Sequence, residues 1–161
     1  RVQTPEGRIA LAIPELLEEL RGLGRETPPG TSAEFPFVLS AGERRSFTAN
    51  TIFRNPAWRR KDAVGALRMN PSDASRLGLA TGSRAKVSTR RASVVATVEV
   101  SDAMQPGHVS LPNGLGVDYP GEEGRVTAGV APNELTSSED RDWLAGTPWH
   151  KHVPARVEAE A

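Results

Sequence analysis

The sequence predicts a mainly β fold, and three observations carry that prediction. The chain of 161 residues holds 15 Gly and 13 Pro, which break it into short elements joined by many turns. Two runs of alternating apolar and polar residues flank a short turn at Arg91-Ala92, the signature of a β-hairpin. Helical signals are brief. The length fits one domain of ordinary size with a short appendage, enough to bury a core.

In chain order, residues 1–7 read as a lead-in. Ile13, Leu16, Leu17, Leu20 and Leu23 recur at helical spacing opposite Glu15, Glu18 and Glu19, so residues 14–21 form a helix of about two turns. Pro14 suits its first turn, and Gly22 and Gly24 end it. Such a helix is marginal alone and is expected to dock elsewhere. Residues 25–33, with Pro28-Pro29-Gly30, are a linker.

Residues 35–40 are a compact apolar strand, and Pro36 places it at an edge or a strand start. Residues 41–62 show no period, carry six Arg or Lys against two acids, and exceed the usual length of a structureless connection. Phe47, Ile52, Phe53 and Trp58 are its candidate anchors. A strand follows at 66–69, then a short helix at 70–78. Asn70 caps that helix, Pro71 fits its first turn, Asp73 favours the positive end of the dipole and Gly78 ends it.

The hairpin comes next. Ala85, Val87 and Thr89 alternate with Lys86, Ser88 and Arg90, and after the turn Val94, Ala96, Val98 and Val100 share one face. Residues 108–111 are a further strand and Pro112-Asn113-Gly114 a turn. Residues 115–136 read as irregular, 132–143 as a loop with a helical turn, and 152–157 as a closing strand.

Composition excludes several classes of function. With no Cys, the chain has no disulfide framework, thiolate zinc site or iron–sulfur cluster of its own, and a reducing, cytoplasmic location is expected. No apolar run approaches the about 18 residues of a membrane span, so no membrane partner is expected. The first residue is Arg1, which reads as a fragment of a longer protein. Net charge is zero, yet residues 35–91 carry twelve basic groups against three acidic, while residues 92–161 carry four against eleven. A middle third at +9 points to an anionic ligand, or to a solvated basic face balanced by the acidic tail.

Most familiar catalytic motifs are missing. Gly114 and Gly116 lack the third glycine of a dinucleotide fingerprint, because position 119 is Tyr. His150 and His152 lie two apart, which on a strand points them to opposite faces, without a third soft ligand. His108 reads as a polar residue at a strand start. Glu122-Glu123 and the Asp140, Asp142 pair lack an apolar setting that would raise a pKa, so they read as solvated surface. No Ser sits in a nucleophile elbow. Gly42-Glu43-Arg44-Arg45 follows a buried strand directly, and so presents backbone N–H groups and two cations where pyrophosphates are readily bound; a charged β-turn is the plain alternative. Asn50 and Asn133 are amides suited to a heterocycle's edge or to turn formation.

In order, Leu39-Ser40-Ala41-Gly42-Glu43-Arg44-Arg45, Asn50-Thr51, Met69-Asn70-Pro71-Ser72-Asp73-Ala74, Leu77-Gly78-Leu79, Pro106-Gly107-His108-Val109, Pro132-Asn133-Glu134-Leu135-Thr136 and Thr147-Pro148-Trp149-His150-Lys151 form a set. That set resembles the C-terminal molybdopterin-dinucleotide-binding domain of the dimethyl-sulfoxide-reductase family of molybdenum and tungsten enzymes, which includes formate dehydrogenases and nitrate reductases. The resemblance spans about residues 35–158. It implies a double-psi β-barrel of about six strands with short helices and long loops. It divides the chain into an N-terminal helix and linker from the preceding domain (1–34) and the cofactor-binding barrel (35–161).

The implied ligand is molybdopterin guanine dinucleotide with molybdenum or tungsten, the metal being ligated outside this fragment. By the same resemblance, Ser40, Ala41, Gly42, Glu43, Arg44 and Arg45 contact the pterin and its phosphates, Asn50 and Thr51 extend that contact, and Asn133 and Lys151 reach the pterin from the other side. Asn113, at the head of its turn, is a further candidate. The Asn70-Pro71-Ser72-Asp73-Ala74 segment serves the fold. The implied partners are the cofactor and the remaining domains of a parent oxidoreductase, with the isolated fragment inactive and no nucleic acid bound. The alternative of another class is a stand-alone β-barrel module that binds a protein or single-stranded nucleic acid through the basic middle third, where aromatic stacking surfaces are thin. A third, an autonomous barrel enzyme such as a decarboxylase, lacks a recognisable site.

Overall fold

A computed structural model describes residues 3–25, 30–43, 55–58, 64–142 and 145–160 of the chain. Helix α1 (Pro14–Gly22) runs into a 3-10 turn, Leu23–Arg25, and buries no residue. Its apolar stripe stays on the surface, with Leu16 and Leu17 each 41% exposed.

The strands are β1 (Phe37–Glu43), β2 (Leu67–Met69), β3 (Arg84–Ser88), β4 (Ser93–Val100), β5 (His108–Pro112), β6 (Tyr119–Gly121), β7 (Gly124–Val126) and β8 (Val153–Ala159). Six of them close into a barrel in the order β1-β5-β2-β4-β3-β8, and β6 and β7 form a separate two-stranded ribbon. Within the barrel β1 runs parallel to β5 and β2 parallel to β4, whereas the other pairings are antiparallel. Parallel neighbours cannot be joined by a tight turn, so the chain crosses between them, and the result is the expected double-psi β-barrel.

Alternation fills the barrel. Phe37 and Leu39 of β1, Leu67 and Met69 of β2, Val87 of β3, Val98 of β4, Val109 and Leu111 of β5 and Val157 of β8 meet in one core, each no more than 2% exposed. The β3–β4 hairpin pairs Ala85 with Ala96 and Val87 with Val94, and its connection is four residues, 89–92, closed by the Thr89 amide on the Ala92 carbonyl at 2.9 Å, rather than the two at Arg91-Ala92.

Helix α2 (Pro71–Arg76) shows how local chemistry and barrel are coupled. Asn70 Oδ1 accepts from the Ser72 amide at 2.9 Å, capping the helix, while Asn70 Nδ2 donates to the Met104 carbonyl at 2.7 Å. Asp73, 4% exposed, accepts from the Gly107 amide at 2.6 Å and pairs with Arg76 at 2.7 Å. The first turn of α2 is thereby tied to the turn that launches β5.

Three boundaries differ from expectation. The first strand spans 37–43 rather than 35–40, because residues 41–43 find partners on β5 that the sequence alone does not reveal. The last runs to Ala159, since Glu158 and Ala159 pair with Lys86 and Ala85. The stretch read as irregular contains the β6–β7 ribbon, with Glu122 and Glu123 as its turn; Pro120, Gly121 and Gly124 hide any alternation there. Trp58, expected to anchor its loop, is 66% exposed, and Phe47, Ile52 and Phe53 lie outside the described residues. Among the described residues, no helix is long and apolar enough to cross a membrane.

Candidate functional site at one end of the barrel

Strand directions decide what converges. Because β1 and β5 are parallel, their C-terminal ends coincide, which puts Glu43 beside Pro112. Because β8 is antiparallel to β1, the residues just before Val153 lie at that same end, beyond the Leu39–Val153 pair. Strand β3 is antiparallel to β8 and ends there too, with Ser88 opposite Arg156. Four chain segments far apart in sequence thus meet at one rim.

The centre of that rim is the end of β1. The β1–β5 register slips between Ala41 and Glu43, leaving Gly42 as a bulge with φ +85°. A Cβ there would lie 2.3 Å from Asn113 Oδ1, so both the backbone conformation and the close approach require glycine. Asn113 Nδ2 donates to the Gly42 carbonyl at 2.9 Å, and the Asn113 amide donates to the Glu43 carbonyl at 3.0 Å. Lys151 Nζ donates to the same Gly42 oxygen at 2.6 Å and lies 3.4 Å from the Ala41 carbonyl. The Ala41 amide donates to the His150 carbonyl at 2.8 Å. One carbonyl therefore joins two side chains from residues 113 and 151, and fixes the point where the chain leaves the barrel toward Arg44.

Of the sequence candidates, Ala41, Gly42, Asn113 and Lys151 come together in this way. Ser40 is half-buried in β1, opposite Ser110. Glu43 turns onto the barrel wall: its Oε2 accepts from Ser110 Oγ at 2.5 Å and its Oε1 lies 3.8 Å from Arg68, which also pairs with Glu99 at 2.9 Å. Asn133 sits in a 3-10 turn, Pro132–Leu135, that packs against β1. Its side-chain amide is exposed and has no hydrogen-bond partner among the described residues, and none ties it to Gly42, Asn113 or Lys151. Arg44, Arg45, Asn50 and Thr51 lie outside the described residues.

A cleft of about 440 Å³ flanks the rim, lined among others by Arg90, Arg91, Leu135, Trp149 and His152. A turn shapes its edge, the His152 amide donating to the Trp149 carbonyl at 3.4 Å. Asp142, read as solvated, is half-buried and closes the preceding loop by accepting from the Ala145 and Thr147 amides, each at 2.7 Å. His150 and His152 precede β8 and are not on a strand, so the alternation argument does not describe them. Among the described residues no group of three His, Asp or Glu could hold a metal ion.

Sequence reasoning missed two supports of the rim. One is the Glu43–Ser110 contact, for which the sequence holds no signal, since it depends on pairing across β1 and β5. The other is Thr89, 8% exposed, whose Oγ1 donates to the Leu135 carbonyl at 2.9 Å. Its signal was present: a hydroxyl in the inward phase of the Ala85, Val87, Thr89 alternation needs a buried partner.

Comparison with known proteins matches the chain to a family. The Molydopterin dinucleotide binding domain matches residues 37–154. The chain is 27% identical to a probable oxidoreductase, YoaE, of Bacillus subtilis over 83% of its own length and 19% of that protein. It is 22% identical to a tetrathionate reductase subunit of Salmonella typhimurium over 90% of its length and 16% of that protein. Acetylene hydratase from Pelobacter acetylenicus shares the fold at a TM-score of 0.54 and 19% identity, over 79% of this chain and 19% of that structure. The chain thus spans less than a fifth of each of these relatives. With a family match over nearly the whole barrel, this chain belongs to the molybdopterin dinucleotide-binding domain family.

Proposed function

We propose that the barrel rim holds a molybdopterin guanine dinucleotide, with molybdenum or tungsten, as part of a larger oxidoreductase of the formate dehydrogenase or nitrate reductase kind. The observation that carries this reading is the pinning of the Gly42 carbonyl by Lys151 and Asn113 at 2.6 and 2.9 Å. It fixes the end of β1, which Arg44-Arg45 follow directly in sequence. The donor set fits the ligand: guanidinium forks give paired contacts to pyrophosphate, and an exposed primary amide at Asn133 offers both donor and acceptor to a heterocycle's edge.

The role is positional. Arg44 and Arg45 would hold the phosphates, with Asn50 and Thr51 extending that contact, while Asn133 and Lys151 would bond pterin heteroatoms. Glu43, engaged by Ser110 and Arg68, would brace the loop and leave the phosphates to the arginines. When bound, the group would supply dithiolene sulfurs to a metal whose remaining ligand comes from elsewhere in the parent enzyme, and the redox chemistry would belong to the cofactor.

The test is cofactor content in the full-length parent enzyme. Arg44→Ala and Asn133→Ala should each lower the pterin recovered per protein. Unchanged metal and pterin occupancy in both variants would overturn the assignment.

A further inference from the structure

We propose that Thr89 is a positioning residue that holds the Asn133 turn in place, which rests on the reading of Asn133 as a cofactor contact. Thr89 follows β3 directly, where the barrel rim meets the 3-10 turn Pro132–Leu135. Among the described residues the backbone of the turn has few ties of its own. The Glu134 amide donates to Ala131 at 3.0 Å, and both the Thr136 amide and its Oγ1 reach the Asn133 carbonyl only at 3.4 and 3.3 Å. Leu135 buries its side chain to 1% exposure, which sets the depth of the turn. Pro132 is buried as well, so packing seats the two ends of the turn, while the Asn133 peptide between them has, among the described residues, only the long contacts to Thr136.

Thr89 adds a polar constraint to that packing. Its Oγ1 has one proton and two carbonyls within reach, Leu135 at 2.9 Å and Ala92 at 3.4 Å; the shorter contact takes the proton. The same oxygen accepts from the Arg91 amide at 3.3 Å. The hydroxyl therefore couples the β3–β4 hairpin to a residue 46 positions away, two residues past Asn133. A donor at β3 fixes the Leu135 peptide, and through it the direction in which the exposed Asn133 amide leaves the turn. Valine keeps the shape of threonine but deletes this donor and, with it, the weaker acceptor of the Arg91 amide; serine keeps both.

The experiment uses the full-length holoenzyme with Thr89→Val, Thr89→Ser, Asn133→Ala and the Thr89→Val/Asn133→Ala double variant. Pterin retained after dialysis is read by fluorescence, and amide hydrogen exchange at residues 133–137 is read in parallel. Thr89→Val should weaken retention roughly fivefold, the factor carried by one lost buried hydrogen bond, and should speed exchange at 133–137 while the barrel strands keep their protection. Thr89→Ser should restore both. The double variant should lose little more than Asn133→Ala alone, because the two residues act through one contact. Wild-type retention in Thr89→Val beside reduced retention in Asn133→Ala overturns the positioning role alone. Full additivity does so too, as does a Thr89→Ser variant as impaired as Thr89→Val. Wild-type retention in Asn133→Ala overturns the underlying reading of Asn133, and with it this inference. Should Thr89→Val fail to fold, the exchange and retention of Thr89→Ser against Thr89→Ala decide the matter on the same terms.

Discussion

Replacing Gly42 with Ala is the sharpest probe of the rim, because Gly78 provides an internal control. Both glycines adopt left-handed backbone, φ +85° at Gly42 and +67° at Gly78, so both substitutions incur the same conformational cost of roughly 1–2 kcal/mol. They differ in surroundings. A Cβ on Gly78 meets nothing within 4 Å, whereas one on Gly42 comes 2.3 Å from Asn113 Oδ1. Asn113 must therefore swing away and give up its 2.9 Å bond to the Gly42 carbonyl, a further loss of about 1–2 kcal/mol for a bond broken in a half-buried site. Gly42→Ala should thus destabilise by about 1–2 kcal/mol more than Gly78→Ala, a difference of about 2–8 °C in melting temperature at the roughly 2–4 °C per kcal/mol of a domain this size. Urea and thermal unfolding of the two variants measure the difference directly. If they prove equally stable, the tight Gly42–Asn113 contact is not a feature of the folded rim, and the end of β1 is not fixed by it.

Two further outcomes follow from contacts elsewhere in the barrel. Asp73→Ala removes the buried acceptor of the Gly107 amide and the partner of Arg76, and should cost about 1–3 kcal/mol; urea unfolding no different from the parent would show that α2 is not tied to the β5 turn through this carboxylate. The Asp118 carboxyl is lowered from its ordinary value, chiefly by the hydrogen bond from Thr127; desolvation, the next largest effect, opposes this, and the charge and hydrogen bond of Arg125 add to the lowering. A depressed folded-state pKa gives stabilisation that is present above the unfolded value and lost as pH falls through the folded one. Thr127→Val should therefore raise the Asp118 titration midpoint, followed by the carboxyl carbon resonance, and an unmoved midpoint would remove Thr127 as the cause.

How much of the site was legible depended on the range of the interactions involved. The end of β1 was singled out because a basic tetrapeptide follows an apolar run, a pattern written in adjacent residues. Asn113 was a lesser candidate in sequence, yet it makes two contacts to β1, through its side chain to Gly42 and its amide to Glu43. Nothing near residue 113 announces residue 42; only the parallel β1–β5 pairing brings them together. Thr89 fell between these cases. Its inward phase on β3 was visible, but its partner, the Leu135 carbonyl, was not.

The sequence by itself determined those elements whose stabilising contacts lie within a few residues. Helix α2 follows from a cap at Asn70, a proline at its first position and a left-handed glycine at 78, and the β3–β4 hairpin follows from strict alternation across a short turn. Tertiary structure decided the strand order, the extension of β1 through a Gly42 bulge, the β6–β7 ribbon and the meeting of residues 42, 113 and 151. The physical reason is that backbone hydrogen bonds in a sheet are made with another strand. A residue's own neighbours state that it will be extended and which face will be buried; they do not state which carbonyl lies opposite.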